Sequence, residues 1–167
     1  MKNFAFAVLS TAALLAGCSA SSESTGDSGS AVAASPLKGN IDGKDFQGKS
    51  AVARKSGTDG KRSITVYDMD VKCEDFSPKA ERELLTSIEW VAGTTKNLKL
   101  DFADLKGSQT VTFVISKGGS PTNVISNTGR IEVIEAPADK GSVGKIRIRA
   151  SAQAHSVEGE IAVQVCE

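Results

Sequence analysis

Aromatic side chains are scarce in this chain, at 5% of 167 residues with a single tryptophan and a single tyrosine. A core built from it must rest mainly on Val, Ile, Leu and Ala, and its margin of stability is modest. Only one histidine is present, His155, and no C-x-x-C or H-E-x-x-H spacing occurs. That leaves a transition metal without its usual ligand set. The nucleophile elbow G-x-S-x-G and the phosphate cradle G-x-x-x-x-G-K-[ST] are both absent, so two common routes to catalysis are not signalled. No excess of one charge exists, with 20 Lys and Arg against 20 Asp and Glu. A nucleic-acid-binding domain would show a basic footprint, and a polybasic membrane patch a local one. No apolar run reaches the roughly 20 residues that a membrane-spanning helix needs.

What is present begins at the N-terminus. Lys2 supplies a minimal positive segment, Phe4–Leu15 is an apolar run of 12 residues, and Ala16 and Gly17 are small residues just ahead of Cys18. This is the layout of a cleaved export signal, with residues 1–17 as the leader. The segment Leu15-Ala16-Gly17-Cys18 resembles the lipobox of bacterial lipoprotein precursors. The resemblance covers residues 1–18 only. It implies a diacylglycerol on the Cys18 sulfur, cleavage before Cys18 and acylation of the new amino group. Two or more acyl chains give stable anchoring where one gives marginal binding. Ser19 resembles the residue that follows the cysteine in outer-membrane-bound lipoproteins of Gram-negative bacteria, where aspartate marks inner-membrane retention. The membrane is thus an expected partner, through lipid on Cys18, and the expected location is the cell envelope.

Residues 18–36 follow as a lipidated cysteine and a tether of Ser, Gly, Ala and a few acids. Such a composition cannot bury enough apolar area to offset its ordering entropy. As a coil of about 17 residues it reaches roughly 20–25 Å.

Setting Cys18 aside leaves Cys73 and Cys166, an even pair in an exported chain. Disulfides persist in oxidising compartments, so the two are expected to bond to each other; two buried free thiols are the alternative. On the chain-entropy account, closing a loop of about 90 residues is worth about 4–5 kcal/mol.

Residues 37–167 read as one all-β domain, an antiparallel sandwich or a barrel-like closure. Short β-prone runs recur between turn residues: SAVARK at 50–55, SITVY at 63–67, ELLTSIEWVA at 83–92, a short run at 98–102, TVTFVIS at 110–116, RIEVIE at 130–135, KIRIRASA at 145–152 and EIAVQVC at 160–166. Their period-two alternation is that of strands with one buried and one wet face. Asp42-Gly43, Asp59-Gly60, Gly118-Gly119, Asn127-Thr128-Gly129 and Lys140-Gly141 supply the turns. One helical candidate stands out over Ser77–Leu85, with Ser77 as cap and Pro78 at the first turn.

The densest polar cluster is Asp68, Asp70, Glu74 and Asp75 around Cys73. Its order departs from the calcium-loop pattern, so it is a weak metal candidate that reads better as a solvated acidic turn. His155, between two clear strands, reads as an exposed hairpin residue. Trp90 and Tyr67 are the aromatics to watch for a ligand surface, although Trp90 shares a face with Leu84 and Ile88 and fits the core. No cofactor is expected. These observations suggest a non-enzymatic, lipid-anchored envelope module that binds a protein or glycan, or serves a structural role. The alternatives are a small-ligand carrier, if the strands enclose a cavity, and an envelope enzyme whose site is assembled from scattered residues.

Overall fold

The computed structural model of the protein describes residues 30–57, 60–118 and 120–166. The leader, Cys18 and Ser19 lie outside the described residues.

Among the described residues eleven strands form one sheet. In chain order they are β1 (Lys38–Ile41), β2 (Lys44–Gln47), β3 (Ser50–Lys55), β4 (Lys61–Tyr67), β5 (Arg82–Glu89), β6 (Thr95–Asn97), β7 (Val111–Lys117), β8 (Ser120–Ser126), β9 (Thr128–Glu135), β10 (Val143–Ala152) and β11 (His155–Val165). Across the sheet the order is β6-β9-β10-β11-β3-β4-β5-β7-β8, with the β1–β2 hairpin attached beside the first half of β11. Among these strands every pairing is antiparallel except that of β11 with β3, where Gln164 faces Val52 and Val165 faces Ala53; an isolated bridge of Pro36 with Glu160 is also parallel. The Ser126 hydroxyl donates to the Ser151 carbonyl at 2.8 Å, which brings β8 round towards β10. The result is all-β, as alternation suggests. Where an antiparallel sandwich or barrel-like closure is expected, the sheet is curled and mixed, a half-barrel, and not a purely antiparallel sandwich. Alternation dictates which face of a strand is buried, but not which strand lies beside it.

The concave side is filled. Ile64, Leu84, Phe113, Ile131, Ile146 and Ile148 are among its fully buried side chains. Each such burial is worth about 1.5–3 kcal/mol against exposure. Trp90 belongs to this core, and its indole N–H donates to the Pro137 carbonyl at 2.7 Å. A second, smaller apolar cluster lies under the loop of residues 68–81, where Val52 and Tyr67 meet Val71, Ala80 and Cys166. Tyr67 is therefore buried too, and its hydroxyl titrates above the usual tyrosine range because burial disfavours the phenolate.

No α-helix forms over Ser77–Leu85; that stretch runs from irregular loop straight into β5. The period-two set Leu84, Thr86 and Ile88 puts all three side chains into the interior, which outweighs the i, i+4 pattern. The short run at 98–102 is not a strand either. β6 lies just ahead of it, and only Lys99 pairs, in an isolated bridge to Gln109.

The two-residue turn between β1 and β2 has positive φ at both Asp42 (59°) and Gly43 (72°). This is the backbone that matches the natural twist of a two-residue hairpin.

Candidate functional site

The convex side of β2, β1, β11, β10 and β9 carries the side chains that the alternation points outward. Antiparallel register arranges them in rows. One row holds Asp45, Asn40, Ser156, Ser151 and Thr128, one from each strand in turn. The next holds Gln47, Lys38, Glu158, Arg149 and Arg130. The third places Arg147 between Glu160 and Glu132. Small hydroxyl and amide groups thus lie beside a ladder of alternating charges.

The ladder is internally paired. Arg147 Nε meets Glu160 Oε2 at 2.9 Å, and Arg130 Nε meets Glu132 Oε1 at 2.9 Å. Lys145 lies 3.4 Å from Glu135 and 3.5 Å from Glu160. Its ammonium is held above the usual lysine range, first by the hydrogen bond to Glu135 and then by the charges of Glu135 and Glu160. Exposed pairs of this kind contribute little stability. Glu132 differs, because it is only 8% exposed. A buried carboxylate is tolerable only when its oxygens are occupied.

Part of that occupation comes from residues 30–36, which composition assigns to the tether. They lie against the sheet as a strap. The Val32 N–H donates to Glu132 Oε1 at 3.4 Å, and the Ala33 N–H donates to Glu158 Oε1 at 3.2 Å. The Arg149 guanidinium donates to the hydroxyl and carbonyl of Ser30. Val32 is 3% exposed. Where the strap joins β1, the Glu160 N–H donates to the Ser35 carbonyl and the Leu37 N–H to the Glu160 carbonyl. Gly159 permits this approach: at φ 140°, a Cβ there would lie 2.5 Å from the Ser35 oxygen. Backbone donors of the strap thus meet carboxylates that only the folded sheet assembles.

Between the strap, the β1–β2 hairpin and the β10–β11 hairpin lies an open groove of 1120 Å³. Ala33, Ser35 and Pro36 form one wall, Lys38, Asp45 and Gln47 another, and Thr128, Ser151 and Ser156 contribute hydroxyls. Arg149 and Glu158 sit where the strap crosses. Gly39 lets β1 press onto β11 here, since a Cβ would fall 1.9 Å from the Ser156 carbonyl oxygen. The groove offers several neutral hydrogen-bonding groups flanked by charges of both signs.

His155 is not an exposed hairpin residue. It is 8% exposed, its Nδ1 accepts the Asp42 backbone N–H at 2.9 Å, and its ring packs 5.5 Å from that of Phe113. The curl of the sheet brings the start of β11 to both. Asp42 is ion-paired with Lys117, and that hydrogen bond, followed by the lysine's charge, lowers its carboxyl below the usual range.

Cys73 and Cys166 are bonded, with Cα atoms 5.4 Å apart. The acidic residues near Cys73 are dispersed. Asp68 pairs with Arg82 at 3.0 Å, Asp75 accepts the Lys72 N–H, and Asp70 and Glu74 point to solvent. Among the described residues no three His, Cys, Asp or Glu side chains come together to hold a metal ion. Glu83, across from Tyr67, titrates above the usual carboxylate range, first through burial and then through the charge of Asp68.

The groove residues carry no motif and were not singled out by sequence. Their only trace there is the outward half of the alternation in 145–152, and register, which the sequence does not display, sets them in rows. In comparison with known proteins, no family model, curated protein or solved structure matches the chain.

Proposed function

We propose that this chain is a lipid-anchored, non-enzymatic binding module of the bacterial cell envelope, and that the groove beside the strap takes a hydroxyl-rich envelope polymer, a glycan strand. The observation that carries this reading is the cross-strand row of Asp45, Asn40, Ser156, Ser151 and Thr128, of which Asp45, Ser156, Ser151 and Thr128 line an open groove. Such a row presents donors and acceptors at the spacing of the strands, about 4.8 Å, and suits a ligand that repeats its own hydroxyls. Net gains of about 1 kcal/mol per hydrogen bond put a single site near the millimolar range, about −4 kcal/mol. Avidity from many tethered copies on one polymer offsets that weakness. The interior is packed with apolar side chains, so the groove rather than a central cavity is the place for a ligand. The sole histidine is committed to Asp42, which argues against a role as a general base.

The lipobox-like segment supports the anchor. Mass spectrometry of the mature protein is expected to find an acylated Cys18 as its first residue; an unmodified N-terminus elsewhere would refute the anchoring. In a Gram-negative host, Ser19→Asp is expected to move the protein from the outer to the inner membrane. Co-sedimentation with purified peptidoglycan sacculi, and with surface polysaccharide in parallel, tests the groove. Ser151→Arg, which fills it, is expected to weaken binding about tenfold without altering the unfolding midpoint. Absence of binding to either polymer, or binding indifferent to Ser151→Arg, would sink the glycan reading.

A further inference from the structure

Phe76 is 90% exposed, the most exposed of the large hydrophobic residues described. A single exposed apolar residue needs no explanation, but its mounting does. The loop of residues 68–81 is fastened along its length. Cys73 is bonded to Cys166, and the Arg54 guanidinium donates to the carbonyls of Cys73 and Asp75, both at 3.2 Å. The Ser50 hydroxyl donates to the Met69 carbonyl and accepts the Val71 N–H. Val71 and Ala80 are buried beneath. Phe76 therefore stands on a fixed base, and docking it forfeits little loop entropy. Glu74 and Asp75 precede it directly, both exposed.

The same chain carries the complement. A separate pocket of 370 Å³ has Trp90, Ala136 and Ala138 as its apolar lining and Lys55, Lys61 and Arg62 at its rim. Prong and pocket are neighbours on the molecule. Arg62 donates both to the carbonyl of Ala138, in the pocket, and to that of Cys166, the other half of the staple. Neighbouring, complementary patches of this kind suit a closed two-fold exchange, the commonest oligomeric symmetry.

We propose that the protein self-associates by a reciprocal exchange, in which Phe76 of each copy enters the Trp90–Ala136–Ala138 pocket of a second copy, with Glu74 and Asp75 against Lys55 and Lys61. The two contacts act together, and tethering of both copies to one membrane raises their effective concentration. The carboxylates beside Phe76 disfavour the rival destination, an anionic bilayer surface.

The test uses the full, exported chain with p-benzoylphenylalanine in place of Phe76, irradiated in intact cells. A covalent adduct of twice the chain mass is expected, with the cross-link on a peptide containing Trp90 or Ala136–Ala138. Because Phe76 is solvent-exposed, the substitution leaves the fold intact, which an unchanged Cys73–Cys166 bond on peptide mapping verifies. Glu74→Lys with Asp75→Lys is expected to reduce the adduct about tenfold, as is Lys55→Glu with Lys61→Glu. Co-expressing the two charge-reversed chains is expected to restore both contacts in the mixed pair and hence the adduct, now between unlike chains. Adducts to lipid, adducts to a different protein only, no adduct at all, or adducts indifferent to charge reversal would each overturn the proposal.

Discussion

The Asp42 backbone N–H donates to Nδ1 of His155 across 2.9 Å, joining the β1–β2 turn to the start of β11. These residues are 113 positions apart, and their bond locks the hairpin that walls the groove to the strand that forms its floor.

His155→Ala leaves the Asp42 N–H without its partner and removes the ring packed against Phe113. The expected cost is about 2–3 kcal/mol, summing a lost buried hydrogen bond and a small cavity. Urea unfolding with an unchanged slope checks it; a loss below about 0.5 kcal/mol would show that the bond contributes nothing measurable.

Removing the staple by Cys73→Ala with Cys166→Ala is expected to cost about 2–5 kcal/mol. The effect has a location as well as a size. Limited proteolysis is expected to cut within residues 68–81 of the variant before anywhere else, because the loop is then held only by the small apolar area of Val71 and Ala80 and by the hydrogen bonds of Arg54 and Ser50. Non-reducing peptide mapping of the parent protein is expected to recover Cys73 linked to Cys166.

Glu83 gives a pH dependence of definite sign. Its carboxyl in the folded protein titrates above its unfolded value because burial and Asp68 disfavour the charge. Stability from this group is therefore fully present below the unfolded value, near 4.3, and is lost as pH rises through the raised folded value. Glu83→Gln does not lose it. The variant is expected to match the parent in Tm near pH 4 and to exceed it at pH 7. A gap that widens towards low pH would contradict this assignment.

Glu132→Gln weakens the bonds that Arg130, Arg147 and the strap make to one buried carboxylate. A cost of about 1–3 kcal/mol is expected, in line with hydrogen bonds to charged groups. Gly159→Ala is expected to act on the strap from the other side, by pressing a methyl group against Ser35. In both variants hydrogen exchange at the Val32 and Ala33 amides is expected to quicken, while amides of β4 and β5 keep their rates. Uniform quickening would mean that the strap is no separate unit.

By itself the sequence determined the lipobox-like segment as a candidate export address, the all-β character, and the inward and outward faces of most strands. KIRIRASA at 145–152 needs only alternation to place Ile146 and Ile148 inside and Arg147 and Arg149 outside, since a pleated strand sends neighbouring side chains to opposite faces. Cys73 and Cys166 were also legible, as the even pair that remains once Cys18 is set apart. Tertiary structure decided the rest. β8, with its SPTNVIS sequence, has weak alternation and was invisible until β7 paired with it. The parallel contact of β11 with β3, the burial of His155, the docking of residues 30–36 and the row from Asp45 to Thr128 all join residues distant in the chain. Such relations depend on pairing order and register. A local pattern specifies the face of a strand, whereas its neighbour is chosen by the packing of the whole sheet.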